Sequence, residues 1–221
     1  MWHGVAALTV GILLAAPAGA AGCGEALKLT IAPPEKADSV ARVLKRRLEA
    51  IGATPSVATD GAGLRVVLPE GAAESMLTRP ARVEFRIVAQ AADAPGAVSL
   101  ARAQGGRESV APQIILDESH MREFSVREDG DHSMIVFRFD PHAMRNLMAA
   151  TADAVGGKLA IIVDDVVVAD PLIRATVGSP GGEIDAGLSS ASAKELVDLL
   201  ANGRLPAAVS VVAREPACKT P

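Results

Sequence analysis

Apolar residues recur along this chain in two rhythms, one helical and one alternating. Val40, Val43, Leu44, Leu48 and Ile51 fall on one face at helical spacing. Pro33-Pro34-Glu35 opens that helix and Gly52 ends it. Before it, Leu27 to Ala32 reads as a strand; after it, Val57 and then Leu64 to Leu68 read as strand, and Glu70 to Thr78 as a short helix. Arg82 to Val88 alternates most clearly, with Val83, Phe85 and Ile87 facing one way and Arg82, Glu84 and Arg86 the other. Residues 90–112 read as a long loop of Ala, Gly and Pro. Strands are predicted over 113–116, 123–127 and 133–139. Asp140-Pro141 then caps a helix whose inner stripe is Met144, Leu147, Met148 and Thr151, with Gly156-Gly157 as its stop. Leu159 to Val163 and Val166 to Ala169 flank Asp164-Asp165 as a two-residue hairpin. Gly178 to Gly182 reads as a glycine-rich loop. Ser189 caps a last helix with Ala193, Leu196, Val197 and Leu200 on its face and Asn202-Gly203 at its end, and Ala207 to Ala213 is a final strand.

This order predicts an α+β fold: a ferredoxin-like base of βαββαβ order, made of residues 25–89 and 188–215, with a second lobe inserted over 90–187 between the third strand and the second helix. In such a base the first and last strands are antiparallel neighbours. Cys23 and Cys218 sit just outside those strands, so a disulfide between them is expected.

The N-terminus changes the compartment. Val5 to Ala20 is uncharged, and Ala18-Gly19-Ala20 supplies small residues for cleavage, so residues 1–20 read as an export signal. The alternatives are an anchor formed by residues 1–22 or lipidation at Cys23. Beyond Ala20 no apolar run reaches spanning length. The expected location is therefore periplasmic. A net charge of -4, with no basic block, removes the electrostatic term on which nucleic-acid binding depends. With no Tyr, four Phe, and a single Trp inside the signal, any binding surface is aliphatic and backbone in character.

Several stretches resemble the first periplasmic domain of SecD, the accessory subunit of the bacterial preprotein translocase. They are Val43 to Gly52 (VLKRRLEAIG), Leu64 to Pro69, Ala81 to Ile87 (ARVEFRI), Gly157 to Ile173 with its Gly-Lys start and hairpin, and Glu183 to Pro206 with its Gly-x-Leu-Pro end. The resemblance implies a base with an inserted head and a role in protein export. It also has departures: Asp164-Asp165 where the family turn is Asp-Gly, Asp170 between Ala169 and Pro171, and Leu188 in place of Phe. SecD carries membrane helices around this domain, and its membrane carboxylate serves proton-driven movement. A chain that ends at Pro221 implies loss of that energy coupling.

No residue set reads as catalytic, cofactor-binding or metal-binding. His120, His132 and Asp129 or Asp131 read as a solvated hairpin, and Asp164, Asp165 and Asp170 as turn carboxylates rather than a Ca²⁺ site. Ser189, Ser190 and Ser192 lack a nucleophile elbow and read as a cap. Pro180 spoils Gly178 to Gly182 as a phosphate loop, leaving it as a connection between lobes. Met121, beside His120 and Arg122, reads as an exposed methionine. The expectation is a non-catalytic module that holds extended or exported polypeptide, with the translocon as a candidate partner. Met121, Glu123, Ser179, Gly181 and Gly182 are its candidate contact or hinge positions. The alternative is an interaction subunit of an envelope complex that keeps the fold without serving export.

Overall fold

The structure, a computed structural model, describes residues 24–91, 94–130 and 132–217. Four helices and thirteen strands are described, in three sheets. The first sheet joins β1 (Glu25–Ala32), β2 (Ser56–Asp60), β3 (Gly63–Leu68) and β13 (Ala208–Pro216) in the order β13-β1-β3-β2, all antiparallel. Helix α1 (Ala37–Ala50) lies on it. The helical stripe Val40, Val43, Leu44 and Leu48 meets Leu27, Leu29 and Ile31 from β1 and Leu64, Val66 and Leu68 from β3. Leu205 and Val209, from the far end of the chain, close this core.

The second sheet has six strands. They are β4 (Val83–Ile87), β5 (Val98–Arg102), β6 (Arg107–Val110), β7 (Leu116–Asp117), β10 (Leu159–Val163) and β11 (Val166–Ala169), in the order β6-β5-β11-β10-β4-β7. The β10–β11 hairpin turns at Asp164 and Asp165, both at positive φ (48° and 68°), as a two-residue loop demands. The third sheet joins β8 (Met121–Asp129), β9 (His132–Phe139) and β12 (Gly181–Leu188) in the order β12-β9-β8. Helices α3 (Pro141–Ala152) and α4 (Ser190–Asn202) complete this part. Asp140 caps α3 through the N–H groups of His142 and Ala143, and Ser189 caps α4 through that of Ser192.

The α+β class holds, and the placement of several elements differs from expectation. The strand at 83–87, expected in the base, pairs with β10 and β7 in the six-stranded sheet. Hairpin β2–β3 instead supplies two strands of the base, because Asp60 and Gly63 close a short turn at Gly61 (φ 61°). The last helix, expected on the base, buries Ala193, Leu196, Leu199 and Leu200 in the core that contains Phe137 and Ile135. The expected loop over 90–112 contains β5 and β6. Their alternation is weak because β5 finds its place through parallel pairing with β11, a distant partner. Val110 is fully buried there with Ala160, Ile162 and Val167. The chain therefore crosses between base and head near 69–82 and 203–207, rather than at the ends of the 90–187 insertion. The expected signal segment and both cysteines lie outside the described residues. Among those described, no helix is long and apolar enough to cross a membrane.

Candidate functional site

The five candidate positions converge at one end of the three-stranded sheet. Gly181 on β12 pairs with Arg138 on β9, which pairs with Arg122 on β8; Gly182 stands opposite Phe137, and Met121 opposite Phe139. The N–H of Phe139 donates to the carbonyl of Pro180 at 2.9 Å, bringing Ser179 to the same end. Two clefts open there. One, of about 530 Å³, runs between the start of β8 and the end of α4; Met121, Glu123 and Phe124 face Leu200, Gly203 and Arg204 across it. The other, of about 450 Å³, lies along Ser179 to Glu183 and Val136 to Arg138.

The roles of these residues differ from expectation. Met121 is only 2% exposed and belongs to the head core, because β8 turns its side chain toward Phe139 rather than toward solvent. Glu123 is exposed and sits in a bulge, where Glu123 and Phe124 oppose the single residue Phe137. Its φ of 56° is left-handed, and its carboxylate lies 3.4 Å from Arg138. Gly181 and Gly182 are strand residues rather than a slack connection. A Cβ on Gly181 would stand 2.4 Å from the Phe137 carbonyl oxygen, and one on Gly182 would stand 3.0 Å from Cζ of the Phe137 ring. Glycine is what lets β12 approach β9 at this ring.

The cleft floor is fixed by charge and caps. Glu118 is largely buried, accepts from the Val83 N–H at 3.0 Å and pairs with Arg204 at 3.1 Å. Asp117 caps a single helical turn through Ser119 and His120. Burial pushes the Asp117 carboxyl up, but hydrogen bonds from Ser119 and His120 outweigh this and hold it below the usual range. Ser119 Oγ and His120 Nδ1 both bond the same oxygen of Asp117, a capping arrangement rather than a proton relay. The carboxylates once considered for Ca²⁺ are engaged by cations of the chain itself. Asp164 binds Arg79 at 2.7 Å, Asp165 binds Arg82, and Asp170 binds Arg102 and Lys158. Among the described residues no group of three His, Cys, Asp or Glu is placed to hold a metal. The contributions of Leu200, Gly203, Arg204 and Glu118 were missed from the sequence. The signal for Gly203 and Arg204 is the Gly-x-Leu-Pro end of the α4 segment, a motif whose place in a cleft wall depends on β8, far away in the chain.

Comparison with known proteins gives these features a context. The family model for the SecDF P1 head subdomain matches residues 96–207. The protein translocase subunit SecD of Acetobacter pasteurianus is 28% identical over 187 residues, covering 77% of this chain and 36% of that protein. SecD of Syntrophobacter fumaroxidans is 26% identical over 165 residues, covering 65% and 31%. The chain thus spans about a third of the length of these curated relatives. A solved structure of SecDF, described as a membrane component that enhances protein export, superposes with a TM-score of 0.67 at 19% identity, covering 85% of this chain and 98% of that one. SecDF in its super-membrane-facing form gives 0.69 at 23% identity, covering 86% and 30%. These likenesses show a shared fold.

Proposed function

The chain belongs to the SecDF P1 head family, and on that premise we propose that it is a periplasmic, non-catalytic module that holds extended polypeptide at the open end of its three-stranded sheet. The observation that carries this reading is the convergence of two clefts on the ends of β8, β9 and β12, lined by main chain, by apolar side chains that include Phe124 and Phe137, and by charged residues. An extended chain is recognised through its backbone and through small apolar contacts, so main chain beside apolar side chains suits many sequences. Glu118, Glu123 and Glu183 with Arg122, Arg138 and Arg204 set a mixed-charge rim that favours no single sign. The relatives' name supplies the candidate partner, the translocon.

The test is site-specific photo-crosslinking in the native envelope. Probes go at Arg122, Glu123 and Ser179, all exposed, with a control at exposed Lys45 on α1. Crosslinks from the first three to many exported precursors, and none from the fourth, are expected. Crosslinks to one envelope protein and no precursor would instead identify an interaction subunit.

Export also makes a disulfide between Cys23 and Cys218 part of the proposal. What supports it is register. The β1–β13 ladder pairs Glu25 with Pro216, and the Ala217 N–H donates to the Gly24 carbonyl at 3.0 Å. A bond closing so long a loop is worth up to about 4–5 kcal/mol in the chain-entropy model. The intact mass of the exported protein, with and without reductant and thiol alkylation, decides it; two alkylated thiols before reduction would exclude the bond.

A further inference from the structure

Arg47 is fully buried at the end of α1 with no carboxylate bonded to it. Its guanidinium makes five hydrogen bonds, all to main-chain carbonyls. Nη1 donates to Met76 (3.0 Å) and Arg79 (2.9 Å), Nη2 to Pro80 (3.3 Å) and Gly203 (2.8 Å), and Nε to Gly203 (3.3 Å). A guanidinium has five N–H donors in a rigid fork, so every donor is used. The acceptors follow the ends of two helices. Met76, Arg79 and Pro80 lie in and just after the short helix α2 (Ser75–Thr78), and Gly203 is the C-cap of α4. Such carbonyls lack partners within their own helices, and that of Gly203, at the end of α4, carries the negative end of a helix dipole. Burial lowers the Arg47 pKa to about 10, which still leaves it charged at neutral pH.

The positions of these acceptors matter more than their number. Residues 76–80 are the passage from base to head, and Gly203 begins the passage back. The two passages also bond each other, the Leu205 N–H donating to the Pro80 carbonyl at 3.0 Å. Arg79 extends the set into the head through Asp164, which also accepts from the Arg82 N–H at 2.8 Å. Arg46 adds a bond from Nε to the Asn202 carbonyl at 3.2 Å. Gly203 is at φ 99°, so the backbone calls for glycine there.

We infer that Arg47 is the clamp that fixes the head to the base, holding both chain crossings to α1 with one side chain. The orientation of the head, and with it the wall of the larger cleft formed by Gly203 and Arg204, is set from the base through this residue. The inference stands whatever the cleft binds. Lysine cannot replace the clamp, because one ammonium has three donors at a point and cannot reach four carbonyls arranged around a plane.

The test is the distance distribution between spin labels on ketone-bearing unnatural residues at Ala58 on β2 and Ala149 on α3. Both are exposed, one on each lobe, and this chemistry leaves the cysteines untouched. Arg47→Met should broaden the distribution at least about twofold, because releasing four carbonyls turns one fixed crossing into several arrangements. Amides of β9 and β3 should keep their hydrogen-exchange protection. Arg47→Lys should give an intermediate width, and Arg42→Ala, on the exposed face of α1, no change. An unchanged distribution in folded Arg47→Met overturns the inference. If Arg47→Met does not fold, Arg47→Lys decides, and a wild-type distribution in that variant overturns it.

Discussion

Gly182→Ala tests the claim that the glycines of β12 serve the packing of Phe137 rather than a hinge. The added methyl would stand 3.0 Å from Cζ and 3.4 Å from Cε2 of that ring. The ring has little room to move, since Phe85 and Phe139 meet it edge-on, with centroids 6.1 and 5.0 Å away. Overpacking of this kind costs about 1–3 kcal/mol. Against it stands a gain of about 0.4–1 kcal/mol from stiffening the unfolded chain. The net expectation is a loss of about 1–2 kcal/mol. Phe137→Leu removes the atom that clashes and sacrifices two edge-to-face contacts, for a loss of about 1–3 kcal/mol on its own. In that background Gly182→Ala should be neutral or slightly stabilising. The double mutant should therefore be more stable than the sum of the singles by about 1–3 kcal/mol. Gly181→Ala differs, because its methyl meets a carbonyl oxygen at 2.4 Å and no side-chain change can relieve it. The assay is urea unfolding followed by far-UV circular dichroism, since the chain has no Tyr and its one Trp is Trp2. Additivity of Gly182→Ala and Phe137→Leu within about 0.5 kcal/mol would refute the reasoning.

Two further expectations follow from buried polar groups. Thr151 is fully buried; its Oγ1 donates to the Leu147 carbonyl at 2.7 Å and accepts from the Val177 N–H at 2.9 Å. Thr151→Val keeps the shape and strands that N–H, so it should cost about 1–3 kcal/mol by urea unfolding and speed exchange of the Val177 amide, while Thr151→Ser keeps both bonds and the protection. Burial pushes the Asp170 carboxyl up, but Lys158 and Arg102 outweigh it and hold its pKa below the ordinary value. A depressed carboxylate stabilises the fold above its unfolded pKa and loses that contribution as the pH falls, so the wild-type melting temperature should drop below about pH 4 more steeply than that of Asp170→Asn. Parallel acid limbs for the two proteins would show that this carboxylate does not matter.

What the sequence revealed, and what it hid, divides along local and distant causes. The caps at Asp140 and Ser189, the stop at Gly52 and the hairpin turn at Asp164-Asp165 were legible because each is decided within a few residues. The stripe on α1 was legible because one face meets one core. Which sheet a strand joins is not local. Val83, Phe85 and Ile87 alternate equally well for either sheet, and only pairing with Leu159 to Val163 makes them head residues. The strands β5 and β12 were hidden for opposite reasons. The first is short and largely exposed, and takes its place beside β11, a distant partner; the second begins with glycines that ordinarily signal a loop. Of the candidate positions, burial was not legible throughout. Glu123 and Ser179 are exposed, yet Met121, read as exposed, faces inward, and nothing in its sequence neighbourhood marks the direction of β8. Arg47 was invisible as a clamp because it reads as one of several charges in VLKRRLEAIG; its partners lie 29 to 156 residues away.

The same topology predicts the order in which the lobes form. In the base, Thr30 on β1 pairs with Ser210 on β13, a separation of 180 residues, whereas in the head Arg127 pairs with Met134 across 7. Loop closure scaling as (3/2)RT ln n makes the first contact about 3 kcal/mol more costly in an unstructured chain. Folding the head first removes most of that cost, since it brings Pro80 and Leu205 into hydrogen bonding and leaves short tethers to β3 and β13. The base has no comparable shortcut: β13 flanks β1, and Leu205 and Val209 complete its core, so α1 and β1 to β3 alone leave the sheet open. Pulse-labelled hydrogen exchange during refolding should therefore protect the amides of β8 and β9 before those shared by β1 and β13. Protection of β1 and β13 first would mean that the base forms across the unfolded head, and that the crossings clamped by Arg47 are a consequence of base folding rather than the step that permits it.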